Sequence, residues 1–504
     1  MIPAAPAPGD NSNRLHQWLS VIGLLLLVTG WRFYQVRHLV LPAWVDSVHH
    51  TLLVRILLEQ GTLPDTWGPY LPTTPFYYHF GFHLSAALFA KITGMTGLAL
   101  GNAVLVTGQL WQILLVLALY LLARTLFADH EPAFVAALLV SFVAEMPAFY
   151  VSWGRYPLLA GATLLIGAMA AATARRWLLL TLLIALTAIT HHYTLFLLAL
   201  FLAISWLLRR EERRPLLLSS MTASLLVSPW LWRVWRLGQQ WSGVAAPQGD
   251  DSTLNIYLLN LLGPLHNYGL LLVALVGCGL LCRAIYQKWS AMRPWLPFAL
   301  WTLCLLGLMG PWSLPPFRAD HAALLLFLPA VLFATVALTR LPTPLYRWSG
   351  ILLMLLWGMV ATRNLVRPDT ILATEGDVVA LHWIETQTAP DTKFLIDVAP
   401  WFGVWRGVDG GWWITPLTGR PTVLPPLAYL WGEADDIATY TTAAAKMTAL
   451  SALAPPTYCT QLLTLMAEAA ADRYYTYSHQ PRYCPQLILA YDGPTGVQIY
   501  QRQQ

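Results

Sequence analysis

The chain has 504 residues, of which 57% are hydrophobic and 11% are charged, and its formal net charge at pH 7 is +5. Soluble domains carry about 25% charged residues, so this composition excludes an ordinary soluble protein and predicts a polytopic membrane protein. The positive charge is typical of the cytoplasmic loops of such proteins, and it therefore gives no indication of a nucleic-acid partner.

Apolar runs of spanning or nearly spanning length predict about eleven transmembrane helices within residues 15–366. Residues 1–14, which include several prolines and alanines, are expected to form a disordered tail. No small-residue cleavage site follows the first run, which favours a retained helix over a signal peptide. The runs lie near 15–33, 98–124, 131–150, 157–174, 177–191, 192–208, 215–232, 268–286, 296–312, 321–339 and 348–366.

Basic residues predict the orientation of these helices in the membrane. With the N-terminus inside, they fall at the cytoplasmic turns, as in the cluster RREERR at 209–214, and the positive-inside rule is satisfied. This parity requires that the first external loop, residues 34–97, contains no crossing. We therefore expect its apolar segment 76–95 to be a re-entrant or partly buried element, and residues 367–504 to lie outside the plasma membrane.

The C-terminal segment has the pattern of a small α/β domain. The stretches KFLID, TVLPP, LILAYD and GVQIY are typical of strands, and DVVALHWIETQ and ATYTTAAAKMTALSAL are typical of helices. Cys459 and Cys484 both lie there, and an exported domain permits a disulfide. We predict a soluble extracytoplasmic domain with this disulfide.

The first external loop opens with an unusual polar cluster in WVDSVHHTLLVRILLEQGTLP, residues 44–64. In a helix, Asp46, His49 and His50 have i, i+3 and i+4 spacing and share one face, while leucines and isoleucine supply an apolar face. This pattern predicts a helix on the outer membrane surface whose polar edge carries catalytic groups, with Asp46 as general base. The alternative is that Asp46 only caps the helix.

Further polar residues fall at the outer ends of the predicted helices. Ionisable groups near membrane depth are costly and usually face a cavity, so we interpret these residues as substrate-binding candidates. The histidines could instead cap helix ends, and the arginines could bind lipid headgroups. An i, i+4 histidine pair is compatible with a metal site, but no third ligand is evident and we assign none. The candidates are His79, His83, Arg155, Tyr156, His191, His192, Arg318, Asp320 and His321.

The layout resembles the membrane glycosyltransferases of the C superfamily, such as protein mannosyltransferases and aminoarabinose transferases. The resemblance rests on a short first helix, a loop opening with an acid, the pattern P-x-Y-Y-x-x-G-F-H and a span ending LYLLARTLF. The stretches HWIETQTAPDTKFLI and DGGWWITPLTGRPTV resemble the extracytoplasmic domains of bacterial members. Members often have paired acids in the loop, whereas Asp46 is followed by Ser47, so the resemblance leaves the cofactor, including a divalent metal, undetermined.

The resemblance implies a polyprenyl-phosphate sugar donor, with the catalytic carboxylate in the first external loop and catalysis at the outer membrane face. Asp46 or a neighbouring histidine would deprotonate the acceptor, and Arg155 with Arg318 would hold the phosphate, because a guanidinium matches phosphate oxygens bidentately. Membrane lipids would surround the donor chain, and the loop at 238–267 would act as a lid. A transporter and a noncatalytic assembly subunit are the alternatives, and convergence of the outer polar residues would favour the enzyme.

Overall fold

A computed structural model describes residues 10–71, 76, 78–240, 244–245, 265–287, 293–309, 319–401, 404–424, 431–432 and 434–503. Its N-terminal part is helical throughout. Helix α1 begins at Asp10, inside the expected disordered tail, where Asp, Asn and Ser residues suit a helix start. The helices are α1 (Asp10–Gln35), α2 (Trp44–Gln60), α3 (Gly81–Thr93), α4 (Leu100–Phe127), α5 (His130–Phe142), α6 (Tyr156–Thr173), α7 (Trp177–Thr190), α8 (His192–Leu208), α9 (Arg213–Gln240), α10 (Leu265–Gln287), α11 (Trp295–Met309), α12 (Ala319–Leu324), α13 (Phe327–Thr339) and α14 (Pro344–Thr362).

Six helical segments in the described part of the chain are long and apolar enough to cross a membrane. They correspond to α4, α6, α9, α10, the α12–α13 segment and α14, and the shorter α5, α7, α8 and α11 are also apolar. Large exposed side chains such as Leu178 and Leu225 cover the outside of this bundle. The chain is therefore a multi-pass helical membrane protein, as predicted.

Glycines allow several membrane helices to approach closely. A Cβ at Gly108 of α4 would collide with the ring of Tyr156 in α6, and one at Gly358 of α14 would collide with the Phe142 backbone at the end of α5. Small residues let helix backbones pack without a hydrophobic driving force, which lipid cannot supply. These contacts join the helices into one bundle.

The arginine-rich turns meet on one side of the bundle. Glu212 accepts from Arg175 at 2.9 Å and from Arg209 at 3.2 Å, which joins the α6–α7 turn to the α8–α9 turn. Arg347 Nη1 lies 2.6 Å from Glu131 Oε1, which joins the start of α14 to the start of α5. We call this side the arginine face. Turns that positive charge assigned to the cytoplasm are thus neighbours in space.

The two helices of the first loop lie at the other end of the bundle. Helix α3 has only 13 residues, with Leu84, Leu88 and Ile92 exposed along one stripe, and it is too short to cross a bilayer. Helix α2 differs from the prediction of a surface helix. Its apolar side is buried, with Leu52 and Leu53 fully enclosed, but its histidines are buried as well. The reason is that the C-terminal domain covers its other side.

The C-terminal domain is a small mixed α/β unit, as predicted. Its central sheet has the strand order β2-β6-β8-β7, in which β2 and β6 are parallel and the other pairs are antiparallel. The strands of the chain are β1 (Val244–Ala245), β2 (Phe394–Ile396), β3 (Val398–Trp401), β4 (Val404–Gly407), β5 (Trp431–Gly432), β6 (Arg473–Thr476), β7 (Leu487–Asp492) and β8 (Gln498–Arg502). The helices are α15 (Glu375–Gln387), α16 (Ile414–Thr418), α17 (Ala434–Leu450) and α18 (Pro455–Glu468).

Three of the four predicted strands are present as β2, β7 and β8, and both predicted helices are present as α15 and α17. The stretch TVLPP is not a strand in its described residues, where Thr422 makes a single bridge to Phe394. The predicted disulfide between Cys459 and Cys484 is confirmed. It ties α18 to the segment that precedes β7.

Candidate active site

Asp46 and Arg155 come from different parts of the chain and lie near each other at the end of the bundle opposite the arginine face, which we call the outer end. Asp46 lies in the first turn of α2, and Arg155 follows a 3₁₀ segment, Ala148–Trp153, immediately before α6. Between them, Gly154 has φ +64° and packs so closely that a Cβ would lie 2.5 Å from Ser47 Oγ. Only glycine suits both the left-handed backbone and this contact. The turn therefore packs against α2 one residue after Asp46, and Arg155 is close enough for its charge to lower the pKa of Asp46.

The surroundings of Asp46 adjust its acidity. Burial raises the pKa of Asp46 to about 6, and the nearby Arg155 guanidinium opposes that rise. A carboxyl group with this pKa is mostly ionised at pH 7 but is a stronger base than an exposed aspartate. Sequence spacing alone had left a helix cap as the alternative, and no cap hydrogen bond from a side chain is present at the start of α2.

His50 is the first member of a buried imidazole pair. Its Nδ1 and the Nε2 of His83 are joined by a hydrogen bond of 2.9 Å, which connects α2 to α3. Both side chains are almost fully buried. Burial lowers the pKa of His83 to about 3 and also depresses that of His50, so both imidazoles are neutral at pH 7.

A second group of histidines lies next to this pair. The ring centroid of His79 is 4.9 Å from that of His191 and 5.3 Å from that of His192, which occupy the α7–α8 junction. The ring of His321, at the end of the described segment around α12, is 6.1 Å from His191. Residues predicted from four separate stretches of sequence therefore converge at one place.

His49 does not join this group. Its ring meets the edge of Trp412 in the C-terminal domain, with centroids 6.0 Å apart and an interplanar angle of 86°. Burial lowers the pKa of His49 to about 3. The expected single polar face of Asp46, His49 and His50 is thus divided, because consecutive helical residues are about 100° apart and the two histidines meet different neighbours.

Tyr156 lies inside the packed wall behind the site. Its ring is fully buried and stacks on Phe82 with centroids 5.4 Å apart, and Gly108 lies against its edge. It supports α6 in this position.

Some predicted site residues lie outside the described part of the chain. They are Arg318, the side chain of Asp320 and most of the predicted lid at 238–267. Within that loop, β1 pairs with β5 of the C-terminal domain.

Sequence analysis missed the residues that connect the site to the C-terminal domain. Trp44 meets Trp401 at a centroid distance of 5.7 Å, and the Arg406 guanidinium lies 5.0 Å from the Trp44 ring. Ser152, just before Gly154, accepts a hydrogen bond of 3.0 Å from the backbone N–H of Arg367. The tryptophan-rich segment DGGWW could have indicated such contacts, but tryptophan is also common at membrane interfaces.

Glu145 was also missed. It lies between α5 and the 3₁₀ segment, and burial raises its pKa to about 7 despite the charge of Arg367. An acid just before the motif SWGRYP could have been found by its position at an outer helix end.

Among the described residues, no three His, Cys, Asp or Glu side chains form a group that could hold a metal ion.

Comparison with known proteins adds information about the fold. No protein-family model matches the chain, and no curated protein matches it by sequence. Among solved structures, the aminoarabinose transferase ArnT from Cupriavidus metallidurans is similar with a TM-score of 0.61 and 13% identity, over 97% of this chain and 98% of that one. The same protein bound to undecaprenyl phosphate gives a TM-score of 0.59 at 13% identity, over 95% and 97% of the two chains.

Two other glycosyltransferases have similar structures. The oligosaccharyltransferase of Archaeoglobus fulgidus gives a TM-score of 0.57 at 11% identity, over 90% of this chain and 69% of that one. The mycobacterial arabinofuranosyltransferase AftD gives 0.58 at 14% identity, over 97% and 40%. All three belong to the C superfamily. The resemblance predicted from the sequence is confirmed for the fold.

Proposed function

We propose that this chain is a membrane glycosyltransferase that moves a sugar from a polyprenyl-phosphate donor to an acceptor hydroxyl at the outer membrane face. The observation that carries the proposal is the juxtaposition of Asp46 and Arg155, a basic carboxylate beside a guanidinium at the outer end of the bundle. The fold supports this donor class, since ArnT from Cupriavidus metallidurans has been solved with undecaprenyl phosphate.

In the proposed reaction, Asp46 takes the proton of the acceptor hydroxyl. The oxygen then attacks the anomeric carbon of the donor sugar, and the bond from that carbon to the phosphate oxygen breaks with its electron pair on the phosphate. A pKa of about 6 suits this task, because the group is ionised at pH 7 and still retains basicity.

Arg155 is proposed to stabilise the charge that the leaving phosphate gains. A guanidinium donates two parallel hydrogen bonds to phosphate oxygens, which lysine cannot match. The ring of Trp153 lies 5.4 Å from the guanidinium carbon and holds this side chain from one side. Arg318, the second predicted phosphate ligand, would assist. The histidines at 79, 83, 191, 192 and 321, with Asp320, would border the donor side of the same site.

We further propose eleven crossings, with the N-terminus inside and residues 367–504 outside. The inner contacts of the arginine face support this parity. The C-terminal domain packs against α2, where Arg55 donates to the Pro416 carbonyl at 3.4 Å, so it lies at the same end of the bundle as Asp46. A reporter fused after Gln504 is expected to be active only when exported, and a cytoplasmic signal would contradict this topology.

The decisive test uses the purified full-length protein with a panel of polyprenyl-phosphate sugars. Release of free polyprenyl phosphate, together with sugar transfer or hydrolysis, is expected for at least one donor. Asp46→Asn protein is the matched control, because it keeps the side-chain shape and lacks the base. Failure of every donor to react, or equal turnover by the control, would contradict the proposed function.

A further inference from the structure

Four imidazoles of the site lie near one another, from the protein interior to its surface. The buried end is His50, one helical turn after Asp46 on α2. His50 is hydrogen-bonded to His83, His79 is close enough to both for them to lower its pKa, and the ring of His79 lies 5.3 Å from that of His192. His192 is exposed, whereas the other three are at least nine-tenths buried. One row therefore connects the surroundings of the carboxylate to the outside.

Each imidazole in this row is in the state that transfers protons. Burial, together with the neighbouring imidazoles, lowers the pKa of His79 and of His50, and burial lowers that of His83, so all three are neutral at pH 7. A neutral imidazole has one N–H and one unprotonated nitrogen. It can accept a proton on one side and donate another on the opposite side, without holding a charge for long.

One polar atom of the row, His79 Nε2, is buried and has no hydrogen-bond partner in the described part of the chain. Leaving a buried polar atom unpaired costs about 1–3 kcal/mol, so packing alone does not favour histidine at this position. His83 interacts with the backbone of His79 in addition to its hydrogen bond to His50. The open nitrogen of His79 is one that a passing proton or a bridging water would use.

Other groups around the row limit the path that a proton can take from His79. Tyr78 stacks on His79 with ring centroids 3.9 Å apart, and Tyr193 and His321 lie beyond His191. Arg155 is close enough to His191 to disfavour positive charge there. A proton leaving His79 is therefore directed to His192, which is also the exposed member.

We propose that His50, His83, His79 and His192 form a proton relay that carries the acceptor's proton from Asp46 to the outer surface. This inference rests on the proposed function. After transfer, the proton is on the Asp46 carboxyl group; it passes along the row and leaves to water from His192, which restores the carboxylate. In the first transfer the O–H bond of Asp46 breaks and an N–H bond forms on His50, each transfer between imidazoles breaks one N–H bond and forms another, and in the last transfer the N–H bond of His192 breaks and an O–H bond forms on water. No electron is transferred to or from the protein, and the balancing charge is the one gained by the released phosphate.

The test replaces His192 by alanine in the full-length enzyme and measures kcat in weakly buffered solution at saturating donor. We expect kcat to fall by about 10²-fold, the lower end of what positioned proton transfer contributes. Added imidazole is expected to restore kcat, and the solvent deuterium isotope effect on kcat is expected to increase. A structural role would not produce rescue by a small buffer.

The matched control is His382→Ala, which removes another exposed histidine, on α15 and away from the site. A second variant, His83→Gln, is expected to lose kcat without rescue, because added imidazole cannot reach a fully buried position. Unchanged kcat in His192→Ala, or a loss that imidazole does not restore, would overturn the relay. If Asp46→Asn is inactive in that case, the relay alone fails; if Asp46→Asn is fully active, the base itself is wrongly assigned.

Discussion

The two ends of the helical bundle differ in how far their ionisable side chains are exposed to water. On the arginine face, Arg175 pairs with Glu212 although its side chain is 59% exposed, so water shares in its solvation. At the outer end, Asp46 is partly buried and His83 is fully buried, and burial raises the pKa of Asp46 and lowers that of His83. Ion pairs that are in contact with water contribute little to stability, and basic residues of this kind orient the helices in the membrane. Groups with shifted pKa values are instead candidates for functional sites. The comparison separates residues that we propose to direct insertion from residues that we propose to react.

The sharpest test removes one carboxylate from each end. Asp46→Asn is expected to lower kcat by about 10²–10⁴-fold through loss of the general base, while Glu131→Gln on the arginine face should leave kcat within about twofold. Both are measured as donor turnover by purified protein. Because the pKa of Asp46 is raised, its ionisation disfavours the folded state as pH rises, so the Asn variant should be no less stable at pH 8. Equal losses of kcat in both variants would contradict the proposed difference between the two ends of the bundle.

Removing one guanidinium from each end is the next test. Arg155→Gln is expected to reduce kcat/KM for the donor by about 10–100-fold, since a hydrogen bond to a charged group contributes about 1.5–3 kcal/mol. Arg175→Gln removes a solvated cation and should change kcat/KM by less than about twofold. Initial rates over a range of donor concentrations measure both. A donor-independent loss in Arg155→Gln would instead indicate a general packing role.

Gly154→Ala tests the turn that places Arg155. The added methyl group would meet Ser47 in a left-handed backbone conformation, at a cost of about 1–3 kcal/mol that the turn can relieve only by moving. We expect a roughly tenfold loss of kcat with the protein still folded. Gly167→Ala in α6 is the control, because its nearest neighbour would be Leu183 at 3.6 Å. Thermal melting separates lost activity from lost folding.

The smallest expected effect is a change in pH dependence. Asp46 must be ionised to act as base, so kcat/KM should rise with pH through an apparent pKa near 6 and level off above it. Arg155 lowers this pKa, and its removal should therefore shift the rising limb to higher pH. A pH–rate profile of Arg155→Gln measures the shift. A limb that stays in place would indicate that another group titrates.

Much of the candidate site was visible in local sequence patterns. The outer histidines and Arg155 were found because ionisable residues at helix ends have few structural explanations, and helix periodicity placed His50 one turn after Asp46. The division between His49 and His50 was not visible, because it depends on Trp412, more than 350 residues away in the chain. The hydrogen bond from Arg367 to Ser152 was missed for the same reason.

Hydropathy and charge in the sequence by themselves determined the class of protein, the presence of many apolar helices, the grouping of the arginine-rich turns and the α/β character of the C-terminal domain. These properties depend on transfer of local segments from water to lipid or on local periodicity, so neighbouring residues are sufficient. Only the tertiary structure decided that α2 is enclosed on both sides, that Gly154 holds Arg155 beside Asp46, and that histidines from separate helices form one row. Such contacts join distant segments through close packing, and no local pattern of residues encodes them.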